Sequence, residues 1–158
     1  MIEVKAPNRS GWDAPCSVFL GGSIEMGKAS DWQDKLKNDL AQYNVVLFNP
    51  RREYWDSSMV QSISNPEFNE QVSWELEHIE LADLVVFYFD PLTQSPVTLM
   101  EVGLCAGLGK ASDVIVCCPD GYFRKGNLEI VCSRYGMPIL ETYNSLVETL
   151  HQRLSYYN

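Results

Sequence analysis

Five short apolar runs recur along the chain, and each is followed by a segment whose apolar residues return every third or fourth position. The runs are Cys16 to Leu20, Val45 to Phe48, Leu84 to Phe89, Asp113 to Cys117 and, more weakly, Pro138 to Glu141. Their length and β-branched content predict strands buried on both faces. Between them, Trp32, Leu36, Leu40 and Tyr43 predict a helix opened by Ser30, with Gln33 completing a capping box. Phe68, Val72, Leu76 and Ile79 predict the buried face of a second helix, behind Asn65 as N-cap and Pro66 as first helical residue. Ser95-Pro96 starts a third helix, apolar almost all round and therefore expected to be buried. A fourth spans about Asn127 to Tyr135, and Asn144 caps a last one with Val147, Leu150 and Leu154 inward. Residues 1–15 show no such pattern and are expected to be an irregular lead-in.

Strand and helix alternating five times predict an α/β fold. The expected form is a doubly wound, five-stranded parallel sheet in a flavodoxin- or Rossmann-like three-layer sandwich. A chain of 158 residues fits one domain. Ligands in such sheets bind beyond the carboxyl ends of the strands. That edge should gather Gly21-Gly22-Ser23, Arg51-Arg52, Asp90 to Ser95 and the start of the third helix.

Composition narrows the chemistry. A net charge of −9 argues against broad electrostatic binding to nucleic acid. No apolar run reaches membrane length, and the first residues lack a signal-peptide core. Five cysteines without CxxC spacing read as reduced thiols, which points to a cytoplasmic protein. Two isolated histidines are too few for a zinc site, and neither a metal nor a cofactor is indicated.

Within this frame Glu101 stands out, because it is the only charged residue between Asp90 and Lys110. A carboxylate alone in an apolar helix is unfavourable unless paired, hydrogen-bonded or protonated. It marks either a helix edge or chemistry at the crevice, and the second reading is preferred. The stretch from Gly22 to Ala29 imitates a phosphate-binding loop. It fails as one: Ala29 replaces the metal-binding hydroxyl, Glu25 lies where phosphates would sit, and Ser30 follows Lys28 one residue too late.

GGS, NPRR, the helix with Glu75, and SPVTLMEVG, in this order and spacing, resemble the nucleoside 2-deoxyribosyltransferase-like family over roughly Val18 to Tyr135. The resemblance implies that Glu101 is a nucleophile forming a glycosyl-enzyme intermediate, a role suited to a carboxylate facing an oxocarbenium-like centre. It implies that Glu75, 26 residues earlier, handles the proton on the leaving base; the alternative is a solvated helix-face acid. Ser95 falls where monophosphate hydrolases bind phosphate and transferases place an acid for the 5′-hydroxyl; it also reads as an N-cap. Asn127 corresponds to the residue that a neighbouring subunit lends to the 5′ end, and otherwise reads as an N-cap. Gly21, Gly22, Ser23, Arg51 and Asp90 are further substrate-binding candidates, with solvated loop charge the competing reading for Arg51. Phe19 departs from the tyrosine of the transferases. The implied partners are a nucleoside or nucleotide, a nucleobase and a second copy of the chain in a homodimer or larger homo-oligomer. The expected activity is sugar transfer between bases. Hydrolysis of nucleoside 5′-monophosphates and non-catalytic nucleotide sensing are the alternatives.

Overall fold

A computed structural model describes residues 1–9, 12–25, 29–54, 56 and 58–157. Gly27 and Lys28 of the phosphate-loop-like stretch, and Trp55, lie outside the described residues. The sheet has six parallel strands: β1 (Ile2–Lys5), β2 (Ser17–Gly22), β3 (Val46–Asn49), β4 (Leu84–Tyr88), β5 (Val114–Cys117) and β6 (Ile139–Leu140). They lie in the order β1-β3-β2-β4-β5-β6. The helices are α1 (Trp32–Asp39), α2 (Pro66–Leu81), α3 (Pro96–Gly107), α4 (Lys125–Tyr135) and α5 (Tyr143–Leu154).

Alternation along the strands explains the layers. Phe19, Phe48, Val85, Phe87 and Val116 point to one face, against Trp74 and Ile79 of α2, Val102 and Cys105 of α3, and Leu128 and Cys132 of α4. Val18, Leu20, Leu47, Val86 and Ile115 point to the other, against Trp32 and Leu36 of α1 and Leu146, Leu150 and Leu154 of α5. Strands buried on both faces are what continuous Val/Ile/Leu/Phe runs demand. Helices thus cover both sides of the sheet.

Several expectations need correction. The sheet has six strands, not five, because the lead-in supplies β1, paired with β3 from Ile2↔Val46 to Lys5↔Asn49. Its signal, Ile2 and Val4 alternating with polar residues, is only four residues long. β2 runs on through Gly21 and Gly22, beyond the apolar run that ends at Leu20. Gly22 has φ of 145°, and a Cβ there would stand 2.4 Å from the Tyr88 carbonyl oxygen, so strand packing itself requires glycine. Helix α3 is not buried all round: Val97 and Met100, and Leu108 at its C-cap, are exposed. The buried face of α2 is Gln71, Trp74, His78 and Ile79, while Phe68, Val72 and Leu76 are only half-buried. Positions 71, 74 and 78 satisfy helical spacing equally well, and the two polar side chains among them are hydrogen-bonded in place.

The caps also differ. Asp31, not Ser30, caps α1 by accepting the Asp34 N–H, and Thr142, not Asn144, caps α5. Arg124 precedes α4, which leaves Asn127 inside the first turn. Asn65 caps α2 as expected, accepting from the N–H groups of Glu67 and Phe68.

Candidate active site

The chain leaves β3 and returns past β2 to form β4, so a crevice opens beyond the carboxyl ends of β2 and β4. Ser23 follows directly on β2 and Asp90 comes two residues after β4, and α2 and α3 flank them on one face. Glu101, in the second turn of α3, is only 6% exposed. Among the described residues no hydrogen bond or ion pair reaches its carboxyl group. Burial, and then the charge of Glu75, push it up to about 8 from an ordinary 4.5. At neutral pH the free protein therefore holds Glu101 protonated.

Glu75 of α2 is the group coupled to it. Burial raises its affinity for a proton, opposed by a hydrogen bond from Gln71 and by the charge of Arg52. Gln71 Nε2 donates to Glu75 Oε1 at 2.8 Å and to the Pro50 carbonyl at 2.9 Å. Arg52 Nε donates to Gln71 Oε1, and its Nη1 donates to Glu67 at 2.6 Å. Beside Glu75, Trp74 packs on Phe19 and stacks on His78 with ring centroids 4.0 Å apart. Both rings are buried, and burial holds His78 below its usual range, so it stays neutral.

The amino end of α3 is polar. Ser23, Thr93 and Ser95 form a ring of hydroxyls, with Ser23 Oγ 2.6 Å from Thr93 and 2.7 Å from Ser95, and Thr93 3.0 Å from Ser95. Ser95 stands at the N-cap position of α3 as expected, but with left-handed backbone (φ 46°) and without the expected side-chain cap hydrogen bond. The N–H groups of Gln94 and Ser95 instead donate to Glu25 Oε1. A carboxylate thus occupies the donors where the helix dipole favours an anion.

The remaining candidates are Arg51, Asp90 and Asn127. Arg51 donates to the carbonyls of Ala29 and Ser30 at 3.0 and 3.2 Å, tying the loop before α1. Asp90 accepts from the Leu92 N–H at 2.9 Å and from the Ser30 hydroxyl at 3.2 Å. Asn127 is exposed, on a groove of about 330 Å³ between α3 and α4 that Leu99, Val102 and Arg124 also line. Sequence reading missed Gln71 and the seat taken by Glu25. Gln71 stands one turn before Glu75, which was the available signal.

The sequence profile described as nucleoside 2-deoxyribosyltransferase like matches residues 15–122. The chain belongs to the nucleoside 2-deoxyribosyltransferase-like family. This family is related to nucleoside deoxyribosyltransferases, which are enzymes. No curated protein matches the chain by sequence. Among solved structures, a conserved protein from Enterococcus faecalis superposes with a TM-score of 0.62 at 16% identity, covering 88% of this chain and 99% of that one. That likeness concerns the fold. Among the described residues no helix is long and apolar enough to cross a membrane.

Proposed function

We propose that this family member breaks the N-glycosidic bond of 2′-deoxynucleosides and passes the sugar to another base, with Glu101 as nucleophile and Glu75 as proton carrier. The observation that carries the reading is the pair itself: buried Glu101 of α3, without a hydrogen-bond partner among the described residues, and half-buried Glu75 of α2, whose charge acts on it. A Glu101 oxygen bonds to C1′ as the C1′–N bond breaks, and the bonding electrons leave with the base. A proton from Glu75 neutralises that base. An incoming base then attacks C1′, releases the Glu101 carboxylate and returns a proton to Glu75, so each half-reaction balances. Ionised Glu101 with protonated Glu75 carries the same total charge as protonated Glu101 with ionised Glu75, so one proton moved within the pair interconverts the two.

Glu25 supports free nucleosides over 5′-monophosphates. Ser95 lies six residues before Glu101 on one helix, about 9 Å along its axis, a span suited to the 5′ end of a sugar whose C1′ faces Glu101. The Ser95 hydroxyl is engaged with Ser23 and Thr93, and the neighbouring N–H donors are held by a carboxylate. A phosphate there meets like charge, whereas a 5′-hydroxyl can donate to Glu25. We further propose that a second copy covers the apolar face of α3 and α4, where Asn127 lies.

Mass spectrometry after incubation with a 2′-deoxynucleoside or its 5′-monophosphate tests this. The expected result is a deoxyribosyl adduct on Glu101 and turnover at least about tenfold better with the free nucleoside. Glu101→Ala should lose turnover by more than about 10⁴-fold. Intact nucleoside bound without adduct or turnover would instead mean a sensor.

A further inference from the structure

We propose that Gln71 is a positioning residue for Glu75, and that Arg52 acts on that carboxyl through it. The inference rests on Glu75 as the proton carrier. It adds two residues that prepare Glu75 without touching the reacting atoms.

The geometry of the amide carries the argument. Gln71 is buried, 5% exposed, and three of its four hydrogen-bonding capacities are engaged. Its Nε2 faces two acceptors, the Pro50 carbonyl and Glu75 Oε1, while its Oε1 faces the Arg52 Nε–H. Turning the amide over would set oxygen against both acceptors and NH₂ against a guanidinium, so only one orientation is compatible with its surroundings. Arg52 is itself held, since its Nη1 reaches Glu67 at 2.6 Å and its side chain is only 12% exposed.

Two consequences follow for Glu75. Oε1 is occupied as an acceptor, so Oε2 is the oxygen left to carry a proton to and from a base. The chain from guanidinium through amide to carboxyl also favours charge on Glu75. The groups facing the acid pair are Arg52 from the loop after β3, Gln71 and Glu75 of α2, Glu101 of α3, and Cys105 one turn further, whose thiol burial keeps neutral. Among the described residues the one positive charge in this group reaches Glu75, and none is directed at Glu101. Gln71 and Arg52 thereby set which acid of the pair ionises first.

Arg52 also lines a polar groove of about 360 Å³ with Glu3, Lys5, Asp31, Asn49 and Glu53. A ligand charge placed in that groove acts on the same relay, whose far end is the proton-carrying acid.

Carboxyl ¹³C NMR titration of the wild type, Gln71→Leu and Arg52→Met tests the relay without requiring turnover. The acid pair should titrate in two coupled steps. The lower step should rise by about one pH unit in Gln71→Leu and by less in Arg52→Met. Arg52→Lys should restore part of that shift, because charge returns without the directed Nε–H. In turnover assays both variants should slow poor leaving bases at least about tenfold more than activated ones, with KM little changed. Arg52→Met keeps Gln71 and Glu75 in place, so the measurement survives if Gln71→Leu does not fold. Titration steps that stay put in the folded variants overturn the proposal, whatever the turnover. A wild type that cleaves no nucleoside overturns the glycosyl-transfer reading and leaves the titration result to judge the relay.

Discussion

The layer of α1 and α5 and the layer of α2, α3 and α4 cover opposite faces of one sheet, and both bury a glutamine, Gln33 and Gln71, yet they place their carboxyl groups differently. Against the first face lie Trp32, Leu36, Leu146, Leu150 and Leu154, and the charges sit outside, as in the Lys35–Asp39 pair at 3.1 Å. The second layer brings Gln71, Glu75, His78 and Glu101 inward, and leaves Val97, Met100 and Ile130 in the open. Interior polar groups weaken a fold unless they are satisfied. Ionisable groups turned inward on one side only therefore separate a stabilising layer from one shaped by chemistry and contact.

The sharpest way to break this contrast is to truncate one side chain in each layer. Leu150→Ala should lower unfolding free energy by about 2–5 kcal/mol and leave turnover per folded molecule unchanged. Glu101→Gln should do the reverse, removing activity while stabilising the fold. The sign follows from the carboxyl being raised to about 8 against an ordinary 4.5. Between those values the folded chain keeps a proton that the unfolded chain has released. Stability is thus lost as pH rises through that window, by at most about 1.4 kcal/mol per unit. The gain from Glu101→Gln should be near zero at pH 4 and greatest above pH 8, as measured by denaturant unfolding at both. A gain independent of pH would show that no buried charge is being relieved.

An intermediate effect is expected at the apolar outer face. If a second copy covers it and lends Asn127, mixing inactive Glu101→Ala and Asn127→Ala chains should restore up to about a quarter of wild-type activity. Chains that exchange but stay inactive would separate that face from catalysis. The smallest effect belongs to the charged exterior of the other layer. Lys35 sits 3.4 Å over the Tyr143 ring as well as beside Asp39, yet Lys35→Met should cost less than about 1 kcal/mol in thermal unfolding.

Periodicity made the five βα units legible because each carries its own local signal, and Glu101 was visible as a lone charge in an apolar run. What stayed hidden depends on contacts distant in sequence. β1 is too short to announce itself, and only pairing with Val46 to Asn49 makes it a strand. The inward turn of Gln71 and His78 depends on acceptors at Pro50 and Trp74, which periodicity does not weigh. Ser95 carried two strong N-cap signals, but Ser23, 72 positions away, takes its hydroxyl. Glu25 argued against a phosphate loop in the sequence, and in the fold the same charge sits at the head of α3.

The pairing of the first residues bears on where the folding unit starts. The matched family region begins at residue 15, after β1 and after Asn8, whose carbonyl accepts the Trp74 indole N–H at 2.6 Å. Arg9, in the same stretch, reaches Glu77 at 2.9 Å. A gene trimmed to the matched region would expose the β3 edge and strand a buried indole donor beside Glu75, at about 1–3 kcal/mol for the donor alone. The boundary that recognises the family is narrower than the boundary that folds it.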